Sequence, residues 1–150
     1  MYQVDAFTNK LFGGNPAAVI PLETWLDDPL MQQIAAENNL AETVFFVPKG
    51  EGFHIRWFTP ELEIDLCGHA TLASAFILYE YLGYSKEQLV FYSKSGELII
   101  TRDEDKFQLN FPSRMPVSVS EYPEQLLSGL GVEEPLGIYK SRDYVVELAT

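Results

Sequence analysis

Apolar and polar residues along the chain fall into short blocks separated by strong turn signals. Tyr2–Thr8 reads as a first strand, stopped by the polar Thr8-Asn9-Lys10. Phe12-Gly13-Gly14-Asn15-Pro16 is a turn, and the apolar run Ala17–Ile20 predicts a second strand. Asp27-Asp28-Pro29 is a helix start: a capping acid, Pro in the first turn, and negative charge at the positive end of the dipole. Leu26, Leu30 and Ile34, with Met31 and Ala35 beside them, recur at helical spacing until Asn38-Asn39 ends the helix. Thr43–Val47 is a short apolar strand capped by Pro48. Phe53, Ile55 and Trp57 then alternate with His54 and Arg56, the period of a half-buried strand, which Thr59-Pro60-Glu61 breaks.

Glu63–Leu66 leads through Cys67-Gly68 into a second helix, Ala70–Leu82, which Gly83 ends. Its apolar residues (Leu72, Ala73, Phe76, Ile77, Tyr79, Leu82) occupy almost every side, so it is expected to be buried rather than surface-lying. Strands follow at Leu89–Ser93, Leu98–Thr101 and Phe107–Phe111, joined by hairpin turns at Ser95-Gly96 and Asp103–Asp105. Pro112–Pro116 reads as a linker. Beyond it come a short helix, Pro123–Leu130 closed by Gly131, and two strands, Leu136–Tyr139 and Tyr144–Leu148. An apolar strand so near the end would expose an edge unless another segment pairs with it, the pattern expected of a chain cut short.

Composition narrows the function classes. The 150 residues hold 10 Lys+Arg against 22 Asp+Glu, a formal charge of −12, with 47% apolar residues. That apolar fraction suffices for a packed core and argues against disorder. No basic face is available for nucleic acid or for an anionic membrane surface. The N-terminal MYQVDAFTNK lacks the basic and apolar regions of a secretory signal, and Ala70–Leu82 is too short to span about 30 Å of hydrocarbon, so a cytoplasmic location is expected. The single cysteine, Cys67, excludes an internal disulfide and a zinc site of four cysteines.

Chemistry could sit in three places. Asp65-Leu66-Cys67-Gly68-His69-Ala70-Thr71 packs an acid, a thiol and an imidazole onto a strand-to-helix junction. Helix starts offer free N–H groups that hold anions and lower thiol pKa values, and Gly68 lets a ligand approach the backbone. Equally, Cys67 can be a small buried residue and His69 a satisfied polar group. Glu42 precedes the apolar Val44–Val47, where a carboxylate suits proton transfer near neutral pH, although a lone Glu in a turn is more often simply solvated. Gly13-Gly14-Asn15-Pro16 lacks the spacing of a dinucleotide loop. A metal site drawn from Asp65, Cys67, His69 and His54 is not expected, because ligands two residues apart at a helix start rarely converge on one ion.

Three segments, in order, resemble the phenazine-biosynthesis PhzF-like isomerases. They are Tyr2-Gln3-Val4-Asp5-Ala6-Phe7-Thr8 with Phe12-x-Gly14-Asn15-Pro16-Ala17-Ala18-Val19, then Ala36-Glu37-x-Asn39-Leu40-x-Glu42-Thr43-x-Phe45, then Arg56-Trp57-Phe58-Thr59-Pro60-x-x-Glu63-x-Asp65-Leu66-Cys67-Gly68-His69-Ala70-Thr71. The resemblance implies an α+β fold of the diaminopimelate epimerase type, in which a curved, mostly antiparallel sheet wraps a central apolar helix. Residues 1–115 would be the N-terminal lobe and 116–150 the beginning of an incomplete C-terminal lobe, since such proteins run to roughly two domains' worth of chain. It implies an isomerase without cofactor or metal that moves a proton within a small carboxylic acid, often as a homodimer. Glu42 matches the general acid/base, Cys67 falls where epimerase relatives keep a second acid/base, and Gly68, His69, Ala70 and Asn15 match substrate-binding positions.

Two other readings compete. A single lobe could be a non-catalytic binding or chain-pairing module. Cys67 with His69 could serve a thiol enzyme, although their spacing across a helix start leaves direct contact open.

Overall fold

A helix that is apolar on every side has to be surrounded. The computed structural model, which describes residues 1–10, 12–104 and 106–149, shows how. The elements are β1 (Tyr2–Ala6), β2 (Asn15–Pro21), α1 (Asp28–Asn38), β3 (Glu42–Lys49), β4 (Gly52–Phe58), β5 (Glu63–Ile64), α2 (Gly68–Glu80), β6 (Gln88–Ser93), β7 (Gly96–Asp103), β8 (Lys106–Asn110), β9 (Val117–Ser118), α3 (Gln125–Leu130), β10 (Gly137–Lys140) and β11 (Tyr144–Glu147). One sheet runs β1-β2-β3-β4-β6-β7-β8, with β5 added on β4. It is antiparallel except at β2–β3 and β4–β6. This curled half-barrel with few helices is the expected α+β, diaminopimelate epimerase-like architecture.

Helix α2 fills the concave side. Ala73, Ile77 and Leu78 pack with Val19, Val44, Phe46, Ile55, Trp57, Phe91 and Ile100 in one cluster. The opposite face of the same strands carries α1: Met31 and Ala35, one helical turn apart, bury against Phe45 and Phe58. Alternation decides which residue goes where, since Val44 and Phe46 face α2 while Phe45 between them faces α1. Each large side chain buried in this way stabilises the fold by about 1.5–3 kcal/mol.

The chain divides into two units, Met1–Pro112 and Ser113–Thr150. The second holds its own small antiparallel sheet in the order β11-β10-β9, together with α3, which has no buried residue.

Several boundaries differ from the sequence pattern, for local reasons. β1 stops at Ala6 rather than Thr8, because Phe7 turns to φ +61°. Pro48 lies inside β3 instead of capping it, since β3 and β4 stay paired out to Lys49 and Gly52. Asp27 precedes α1 as expected but its side chain makes no capping hydrogen bond. α2 covers Gly68–Glu80, two residues earlier at each end than the pattern predicts. The chain is already extended at Cys67, and the Tyr84 N–H closes the last turn onto Leu78 O around Gly83 at φ +71°. β9 lies just past the expected linker, and it is too short to leave a periodic signature. Of the expected Asp103–Asp105 turn, Asp105 lies outside the described residues.

Candidate active site

The start of β3 and the start of α2 meet. Glu42 opens β3 and shares the face of Val44 and Phe46, so strand alternation turns it toward α2. There its Oε2 lies 3.1 Å from His69 Nε2, and the two side chains are only 17% and 8% exposed. On the other side of the imidazole, Nδ1 lies 3.4 Å from Cys67 Sγ. The structure thus gathers thiol, imidazole and carboxylate into one cluster, with ligand atoms within 4.8 Å of one another.

Other polar side chains of this helix have partners, Tyr79 on Glu87 O and Glu80 on Arg102 among them. Thr71 Oγ1 donates to Cys67 O (2.6 Å) and Ser74 Oγ donates to Ala70 O (2.8 Å). His69 is the exception. Glu42 Oε2 and His69 Nε2 are at ion-pair distance, but neither buried atom makes a hydrogen bond to another protein group. A buried polar atom left this way costs free energy unless something else fills its valence, so the pair is unfinished on the protein's own account.

At the α2 start the Ala70 and His69 main-chain N–H groups turn toward the Cys67 thiol. The helix has no acidic residue in its first turn and no side chain capping it. At Gly68 an added Cβ would touch only Phe111 Cε2 at 3.9 Å, so the main chain there is uncovered. Burial pushes the Cys67 thiol up to about 12, and the Glu42 charge acts the same way; the Ala70 and His69 N–H groups oppose it without prevailing. The helix start therefore does not produce a thiolate, contrary to what its position in the sequence favours.

Asn15 opens β2 and is exposed. The register pairs Ala17 with Glu42, and Asn15, two residues before Ala17, shares the α2-facing side of β2. Gly68, His69, Ala70, Cys67, Glu42 and Asn15 thus belong to one end of the sheet and helix. Ala70 itself is fully buried, and its main-chain N–H meets the Cys67 thiol. Glu37 is exposed on α1, and His54 packs edge-on against Trp25 at 5.2 Å. The sequence groups Asp65 with Cys67 and His69; the fold brings in Glu42 instead, through a strand pairing that no local pattern announces.

Glu42, Cys67 and His69 each offer a metal-ligand atom, all within 4.8 Å of one another.

Two clefts of about 400 and 460 Å³ lie along α2 beside β1, with Phe76 in both; Glu42, Cys67 and His69 line neither. Asp5 lines both, whereas thiol, imidazole and carboxylate meet at the helix start.

Known proteins match this chain in sequence and in fold. A family profile described as phenazine biosynthesis-like protein matches residues 4–146. The chain belongs to the phenazine biosynthesis-like (PhzC-PhzF) family. It is 50% identical over 150 residues to an uncharacterized isomerase from Halalkalibacterium halodurans, covering 99% of this chain and 56% of that one. It is 44% identical over 120 residues to the human phenazine biosynthesis-like domain-containing protein, 75% of this chain and 42% of that one. Among solved structures, a PhzF-family protein from Enterococcus faecalis matches with a TM-score of 0.86 and 47% identity over 99% of this chain and 56% of that one. A predicted epimerase from Pseudomonas aeruginosa matches with a TM-score of 0.61 and 29% identity over 71% of this chain and 39% of that one. The chain spans about half the length of the curated relatives it matches. No described helix is long and apolar enough to cross a membrane.

Proposed function

We propose that this chain is part of a cofactor-independent isomerase that moves a proton within a small carboxylic acid, with Glu42 as the general acid/base. The observation that carries the proposal is the buried Glu42–His69 pair, 3.1 Å apart with a free valence on each atom, beside an uncapped helix start. Residues 1–115 would form one epimerase-like lobe and 116–150 the opening of a second, in a cytoplasmic homodimer.

The ionised Glu42 takes a proton from a carbon beside or conjugated with the substrate carboxylate. The electron pair left behind spreads into that acid, whose oxygens are met by the His69 ring and by the main chain at Gly68. Asn15 would orient the substrate from the rim. Glu42 then returns the proton to a second carbon, so atoms and charge balance without any redox partner. A positioned base contributes about 10²–10⁴-fold, and donors aimed at the developing charge supply a comparable factor. A single base suffices to shift a double bond along one face, whereas inversion of a centre needs a second group on the other. Cys67 is the candidate for that second role, and its thiol, held protonated, is equipped to donate.

The test is deuterium incorporation from D₂O, followed by NMR, with a panel of small unsaturated and α-amino carboxylic acids. Glu42→Gln should abolish incorporation while leaving the fold intact. Incorporation that survives Glu42→Gln overturns the proposal, and carboxylate binding without any incorporation favours a binding module.

A further inference from the structure

The stretch Arg56-Trp57-Phe58-Thr59-Pro60-x-x-Glu63 takes no part in the proposed proton transfer, yet its side chains converge. Arg56 is fully charged, planar and only 14% exposed. Its Nε and Nη2 donate to the two carboxylate oxygens of Glu63 at 2.8 and 3.0 Å, a two-pronged contact, and its Nη1 donates to Asp28 at the start of α1 at 2.8 Å. The guanidinium also lies over the rings of Trp25 and Phe58, at 5.4 and 5.2 Å. Between the two ends of the clamp, Thr59 Oγ1 accepts the N–H groups of Glu61 and Leu62, and Gln32 from α1 donates to Thr59 O.

The clamp gains its significance from the segment it anchors. β5 is two residues long and makes only the pairs Trp57↔Ile64 and Phe58↔Glu63. A strand this short cannot hold its own position, since each ordered residue costs conformational entropy that two backbone pairs barely offset. Asp65 and Leu66 come next, then Cys67 and the site. The β6–β7 turn adds two contacts to the same segment, Lys94 Nζ to Glu63 and Ser95 Oγ to Asp65 O.

We propose that Arg56 is a positioning residue: by clamping Glu63 it fixes the segment that delivers Cys67 and His69 to Glu42. This rests on the proposed site, but its test does not depend on activity. Cys67 is the chain's single cysteine and is 7% exposed, so its modification by a disulfide reagent reports opening of this segment. A residue that only adds to overall stability would raise the modification rate no more than it raises the global unfolding constant. A residue that positions this segment would raise it further, through local opening.

For Arg56→Gln the modification rate under native conditions should rise roughly tenfold or more beyond the change in the unfolding constant measured in urea, reflecting the lost charged hydrogen bonds. Arg56→Lys, which keeps the charge and loses the fork, should fall between. Glu63→Gln should behave like Arg56→Gln and serves if that variant folds poorly. Glu51→Gln, which breaks the exposed Lys86–Glu51 pair, should change nothing. Rates that stay unchanged, or that follow global unfolding one for one, overturn the positioning role. Absence of deuterium incorporation by the unaltered protein would instead overturn the isomerase proposal and leave this result standing.

Discussion

The two helices on opposite faces of the sheet begin in opposite ways. α1 starts with Asp27, Asp28 and Pro29; the Asp27 carbonyl accepts from Leu30 and Met31, and Asp28 meets Arg56. Negative charge stands at the positive end of its dipole, as stability favours. α2 starts with Cys67, Gly68 and His69, without an acid in its first turn and without a side-chain cap. The carboxylate nearest its ring, Glu42, comes from another strand and leaves a valence open. One helix start is completed by the chain's own residues. The other brings a thiol, an imidazole and a carboxylate together in place of an acidic first turn.

That contrast can be broken on either side, and the largest effect lies under α1. Phe45 is fully buried between β3 and α1. Phe45→Ala should cost about 3–5 kcal/mol in urea unfolding, yet leave deuterium incorporation per folded molecule unchanged. If incorporation falls in step, the two faces are not separable as described.

The next effect is alkaline and belongs to the α2 start. The Cys67 thiol is pushed from its ordinary value of 9.0 up to about 12, chiefly by burial. The folded chain therefore keeps this proton to a higher pH than the unfolded chain. Stability from this source is complete below pH 9 and is lost as pH rises toward 12, by at most about 4 kcal/mol. Urea midpoints between about pH 8 and 11 should fall, and Cys67→Ala should remove that slope, lowering the midpoint near pH 8 and progressively less toward pH 11.

The smallest effect is acidic and belongs to the α1 start. The side-chain bonds from Arg56 hold Asp28 and Glu63 below their ordinary values of 3.8 and 4.5. Their contribution is complete above those values and is lost as pH falls through the depressed ones, so stability should decline below about pH 4. In Arg56→Gln the decline should be shallower, though Asp28 is too exposed to contribute much of it.

The scaffold is legible in the sequence, whereas the site is half hidden there. The all-round apolar character of Ala70–Leu82 points to a central helix by itself, because a helix with no polar side has only one place to go. The family resemblance singles out Glu42, whereas the residues alone favour a solvated acid. What turns Glu42 inward is its parallel pairing with Ala17 and the resulting face, a long-range fact with no local signature. The Cys67–His69 contact is hidden for a similar reason, as an i, i+2 pair meets only if the helix begins between them, and it does. The Arg56–Glu63 clamp is present as motif letters, but its meaning depends on β5 being too short to stand alone.

The central claim, that the α2 start awaits a carboxylate, is most directly tested by titrating the protein with benzoate while monitoring its two histidine ring signals. His69 should shift and saturate while His54, packed edge-on against Trp25, stays still, and Glu42→Gln should tighten the binding by removing a like charge. A titration in which His69 does not move, or moves only as much as His54, would contradict the claim.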